Sequence, residues 1–101
     1  DVNNEDKNLN TPLHIASQYG KYPMVQLLIN KGADINFNNI KGWAPLHLAC
    51  QNSNTEVVKY LIEKDVKINL ITNDGKTALH IACANDNRNI IQLLIDNGAD
   101  I

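Results

Sequence analysis

Thr11-Pro12-Leu13-His14 returns as Ala44-Pro45-Leu46-His47 and again as Thr77-Ala78-Leu79-His80. The three histidines of the chain therefore stand at 14, 47 and 80, one step of 33 residues apart. Self-similarity at a fixed period of that length marks one supersecondary unit stacked on copies of itself, because so short a unit cannot bury its apolar face alone. The phase of the period runs to both ends. Asp1-Val2-Asn3 sits one step before Asp34-Ile35-Asn36, and Asp100-Ile101 falls at the same place in the cycle. The spacing predicts one domain over residues 1–101, with units at about 6–38, 39–71 and 72–101 and residues 1–5 as the tail of a preceding unit. An excerpt from a longer array is expected.

Within each period the local chemistry reads as two short helices. Thr11 is a good N-cap, and Pro12 at the first helical position loses only an N–H that would be unpaired anyway. Leu13, Ala16 and Ser17 share one helical face. Gly20 can take positive φ and end the first helix. A second helix carries Met24, Val25, Leu27, Leu28 and Ile29 as its apolar stripe and stops at Gly32. The second unit repeats the pattern with Ser53 and Asp65 in place of those glycines, and is expected to be the softest. In the third, Asn73-Asp74-Gly75 is a strong turn signal and Gly98 caps the last helix. Helices of about 8–11 residues are too short to be stable alone in water, so stacking must hold them around one continuous core.

Composition narrows the function classes. The apolar fraction of 44% suits a globular chain. Net charge is −2, from 9 Lys+Arg against 11 Asp+Glu, with no block of like charge. Nothing steers the chain toward nucleic acid or an anionic membrane, and no apolar run approaches the roughly 18 residues of a membrane-spanning helix. Cys50 and Cys83 lie one repeat apart, too far for a disulfide, and read as buried free thiols suited to a reducing compartment. The 16 asparagines never form Asn-x-Ser/Thr, which also fits an intracellular, cytoplasmic location.

Three Thr-Pro-Leu-His-type starts, Gly-Ala-Asp-Ile-Asn-type ends and the 33-residue step together resemble the ankyrin repeat family over essentially the whole chain. The resemblance implies an all-α solenoid of stacked helix-turn-helix units joined by β-turn or hairpin loops. It implies a non-catalytic module that binds another protein through the hairpin tips and the concave inner-helix face, as a monomer when taken as a fragment. The alternative is a regulatory or targeting segment appended to an enzyme or channel. Departures from the family pattern are Leu9 at the turn glycine, Ala44 for Thr, Ala78 for Pro, and Asp65-Val66-Lys67 for Gly-Ala-Asp.

The residues that the period does not constrain are Lys7, Asn8, Asn10, Ile40, Lys41, Trp43, Asn73, Asp74 and Lys76 on the turns, with Gln18, Tyr19, Gln51, Asn52, Ala84 and Asn85 on the inner helices; of these, Lys7, Asn10, Tyr19, Ile40, Trp43, Gln51, Asn52 and Lys76 are the expected partner contacts. Trp43, the single tryptophan, forms a natural hot spot with Ile40 and Tyr19. Two roles are open to it: meeting a partner, or folding back over the turn to seal the first two units together. Phe37 is expected to pack under the hairpin. His47-x-x-Cys50 and His80-x-x-Cys83 mimic metal-ligand spacing, but stacked units hold equivalent residues too far apart for one zinc ion, and the resemblance makes these histidines structural. No metal, cofactor or catalytic residue is expected. For Asn36 and Asn69 the resemblance allows hydroxylation by an asparaginyl hydroxylase; a side chain bonded to hairpin backbone is the preferred reading.

Overall fold

The computed structural model describes residues 1–101, which form six helices and no strand. They are α1 (Pro12–Gln18), α2 (Tyr22–Asn30), α3 (Pro45–Gln51), α4 (Thr55–Glu63), α5 (Ala78–Ala84) and α6 (Arg88–Asp96). Helices α1, α3 and α5 stack side by side as one layer, and α2, α4 and α6 stack behind them as the second. The fold is thus the all-α stack that the period predicts. The first helix of each unit has 7 residues, slightly shorter than expected, and the second has 9, within the expected range.

Every helix ends the same way. A left-handed residue follows the last turn, at Gly20, Gly32, Ser53, Asp65, Asp86 and Gly98. The next residue's N–H then reaches back five positions, as from Ala33 to the Leu28 carbonyl (3.0 Å) and from Val66 to that of Leu61 (3.3 Å). Ser53 and Asp65 therefore adopt the geometry of the glycines they replace, at φ 55° and 61°. Asp86 does so too (φ 53°), at the place that Gly20 holds in the first unit. Leu9 likewise keeps the turn of Gly42 and Gly75, at φ 63°. A side chain in this region carries strain that glycine lacks. Asp65→Gly is accordingly expected to raise stability by up to about 1 kcal/mol in urea unfolding; a lower midpoint would contradict the strain argument.

The core is one cluster running through all three units, from Leu13 and Val25 through Leu46, Val57, Val58 and Leu61 to Ile90 and Leu94. The middle unit is covered on both flanks, so Pro45 through Cys50 are all buried. The flanks differ. In α2 only Val25 is buried, while Met24 and Leu27 are half-exposed at 49% and 50%. Their counterparts Val57 and Tyr60 are covered because α4 has a helix on each side of it. Between the second-layer helices, the rings of Tyr22 and Tyr60 meet edge to face at 5.7 Å.

A candidate protein-binding groove

The site begins with the histidines, which fasten the turns to the helices. The Thr11 and Ala44 N–H groups donate to Nδ1 of His14 and His47 (3.1 and 2.8 Å). With Nδ1 accepting, Nε2 carries the proton. It donates to the Trp43 carbonyl from His14 (2.9 Å) and to the Leu70 carbonyl from His47 (2.9 Å). Each imidazole thus closes its own helix start and bolts it to chain well ahead in sequence. The Thr11 and Thr77 hydroxyls complete the caps by accepting from the His14 and His80 amides (3.4 and 3.2 Å). Ala44 has no hydroxyl, so only the histidine half of that cap forms.

The three turns are then stitched tip to tip. The Ile40 amide donates to the Asn8 carbonyl (2.9 Å), and the Asn73 amide to the Lys41 carbonyl (3.0 Å). Asn73 Nδ2 donates to the Ile40 carbonyl (2.9 Å), and Asn39 Nδ2 to Asn10 Oδ1 (2.9 Å). Asn39 Oδ1 accepts from the amides of Lys41 and Trp43 (3.0 Å each), shaping its own turn. Gly42 is required here: at φ 78°, a Cβ would meet the Asn73 amide nitrogen at 2.7 Å.

Further asparagines tie the far ends of the units. Asn3 and Asn69 accept from the amides of Asp34 (2.7 Å) and Asp100 (2.9 Å) and donate to the carbonyls of Gly32 and Gly98. Asn36 accepts from the Lys67 amide (2.9 Å). Asn36 and Asn69 therefore bond to turn backbone of the following unit. Asn54 and Asn85 cap the ends of α1 and α3, donating to carbonyls of Ser17 and Gln18, and of Cys50 and Gln51.

Between the stitched tips and the first-layer helices lies a groove of about 550 Å³. It is lined by Asn8, Asn10, Asn39, Ile40, Lys41 and Trp43 from the turns, with Gln18, Leu48 and Gln51 from α1 and α3. Four of the eight expected contacts meet here: Asn10, Ile40, Trp43 and Gln51. The other four lie elsewhere. Lys7 is exposed on the first turn. Tyr19, 65% exposed, lies beside Pro12, Ile15 and Met24 around a separate apolar hollow on the first unit. Asn52 turns back on its own helix, Nδ2 donating to the Leu48 carbonyl (3.1 Å). Lys76 pairs with Asp74 at 3.6 Å. Leu48 was missed, because its place in the period is that of a core residue. Asn39 was missed as well, although it shares the turn position of Asp6 and Thr72.

The Trp43 ring packs edge-on against His47 at 5.8 Å and against the core, and the same residue lines the groove. Phe37, half-buried, meets the His14 ring at 6.3 Å. One expectation needs correction: Cys50 is buried, but Cys83 is exposed. Both occupy one position of the period, and the middle unit is covered on the side where the third is open. Burial pushes the Cys50 thiol up to about 12, which keeps it protonated and unreactive.

Burial also holds the pKa of His14 and His47 below the ordinary 6.5, against the raising effect of the carbonyls they bond. The unfolded chain then binds more protons than the folded one below about pH 6.5, so stability rises with pH there. Stability is expected to be full above about pH 7 and to decline as pH falls through 6.5 toward the depressed folded values, by about 1.4 kcal/mol per unit of depression. Urea midpoints at pH 7 and pH 5 measure it; equal midpoints would contradict neutral buried rings. No three His, Cys, Asp or Glu side chains converge as metal ligands would.

Comparison with known proteins agrees with this architecture. The family model described as ankyrin repeats (3 copies) matches residues 1–39 and 13–101. Delta-latroinsectotoxin-Lt1a of Latrodectus tredecimguttatus is 51% identical over 41 residues, 41% of this chain. Alpha-latrotoxin-Lt1a of the same species is 46% identical over 43 residues, 43% of the chain. Alpha-latrotoxin-Lg1a of Latrodectus geometricus is 50% identical over 40 residues, 40% of the chain. In each case the matched stretch is 3% of the relative's own length. Ankyrin repeats are generally protein-interaction modules and typically non-catalytic. With three repeats matched across its length, the chain belongs to the ankyrin repeat family.

Proposed function

We propose that residues 1–101 act as a non-catalytic module that takes a protein partner in the groove between the turns and the first-layer helices. The observation that carries this reading is the convergence of Asn10, Ile40, Trp43 and Gln51, all outside the repeated pattern, on one preformed depression. Binding to so rigid a surface needs little rearrangement. Lys7 and Lys76 on the first and third turns, with Tyr19 and Asn52 at the helix ends, would add contacts outside the groove itself. The module is monomeric, and net charge −2 argues against a nucleic-acid partner. Its two free thiols suit a reducing, cytoplasmic setting.

Capture of partners from lysate by the wild type and by Ile40→Ala plus Gln51→Ala tests the reading. The outer-surface pair Lys59→Ala plus Glu63→Ala on α4 serves as control. Loss with the groove pair and retention with the control pair is the expected result. Equal capture by all three proteins would overturn it.

The relatives, matched over 3% of their length, favour a second reading. In it, this segment targets or regulates a larger protein whose activity lies outside these residues. The full-length open reading frame distinguishes the two.

A further inference from the structure

We infer that the occupant of the groove is an extended peptide segment bearing a carboxylate next to a large apolar or aromatic side chain. The inference rests on the groove being the binding face, and adds what chemistry it recognises.

Charge is the first argument. The chain as a whole carries −2, yet the one charged residue lining the groove is Lys41. The chain's single side-chain ion pair is Lys76 with Asp74, so Lys41 has no intramolecular carboxylate partner. The nearby turn carboxylates take their hydrogen bonds from other groups. Asp6 accepts from the amides of Asn8 and Asn10 (2.9 Å each), and Asp74 from the Thr72 hydroxyl and Lys76. Those bonds, to the Asn10 amide first for Asp6 and to the Thr72 hydroxyl first for Asp74, hold both carboxyls below the ordinary range. An incoming carboxylate therefore meets an ammonium that no carboxylate of the chain contacts directly.

The remaining lining separates the occupant's other features. Ile40, 55% exposed, stands with Trp43 and Leu48 as an apolar patch beside Lys41, suited to one large side chain. Asn8, Gln18 and Gln51 offer carboxamides, each with donors and an acceptor. An extended segment has unpaired peptide groups to meet them, whereas a helix has already satisfied its own.

Selection of random linear peptides displayed on phage against the 1–101 chain tests this. Enriched peptides should carry Asp or Glu beside an aromatic or long aliphatic residue. Lys41→Glu should weaken the best of them about tenfold, and exchanging the peptide's acid for Lys should restore binding to that variant. Circular dichroism checks that each variant is folded. Neutral or basic enriched peptides would overturn the inference. So would peptides lost with Ile40→Ala but indifferent to Lys41→Glu, although the groove reading would survive that result. Peptides indifferent to both substitutions would overturn the groove reading and the inference together, and a selection enriching nothing would exclude a linear peptide as occupant.

Discussion

Replacing His47 by alanine is expected to lower stability by about 3–5 kcal/mol. The ring is buried at 1% exposure. Its removal strands the Ala44 N–H and the Leu70 carbonyl, whose partners are His47 Nδ1 and Nε2. Each orphaned buried group costs about 1–3 kcal/mol, and the lost ring adds a cavity term beside Trp43. The comparison that isolates the effect is His80→Ala. His80 is exposed, and its hydrogen bonds all run to Thr77 within its own helix start. That substitution should cost about 1 kcal/mol, the value of a cap. Chemical unfolding of both variants decides the matter. Similar losses at 47 and 80 would mean that the long-range bolt contributes nothing beyond the local cap.

Gly42→Ala should cost about 2–4 kcal/mol. Holding a non-glycine residue at φ 78° costs about 1–2 kcal/mol. The added methyl also meets backbone: its nearest neighbours include the Asn73 amide nitrogen at 2.7 Å. Relieving that contact means separating two turns joined by the bond from Asn73 to Lys41, an overpacking cost of about 1–3 kcal/mol. Gly32 provides the control, because it has positive φ (95°) with nothing within 4 Å of a built Cβ. Gly32→Ala should therefore show the conformational cost alone. If the two alanine variants unfold at the same urea concentration, the tip-to-tip contact is not what requires glycine at 42. Because Ile40, Lys41 and Trp43 flank this position, Gly42→Ala should also weaken partner binding more than Gly32→Ala does.

Single residues are legible before folding where a few neighbours settle the outcome. Thr11 and Pro12 start α1 as their chemistry dictates, and Gly32 and Gly98 end α2 and α6. Asp65 takes the left-handed turn expected of it. Such outcomes depend on a few neighbouring residues, so the local pattern carries them. Met24 and Leu27 were legible as an apolar stripe, but not as half-exposed. Their burial depends on whether a second helix lies against that flank, and the period states the unit without stating its neighbours. Cys83 differs from Cys50 for the same reason. Ser17 holds the corresponding place in the first unit, and its buried hydroxyl finds no partner.

The groove was half legible. Departure from the period picked out Asn10, Ile40, Trp43 and Gln51, since residues not needed for stacking are free to vary in chemistry. It equally picked out Asn52 and Lys76, whose side chains bond within their own unit. It passed over Leu48, which obeys the period and still reaches the groove floor.

What the amino-acid order alone determined is the brick: its length of 33 residues, its two helices, its caps and its turns, all set by interactions within a few positions. Tertiary structure alone decided which faces of the brick are covered, where the histidine Nε2 protons go, and which variable side chains share a depression. Those outcomes join residues about 23 to 37 positions apart. They exist only once the chain has folded back on itself, within a unit or between units, and the separate turns and helix faces come within bonding distance.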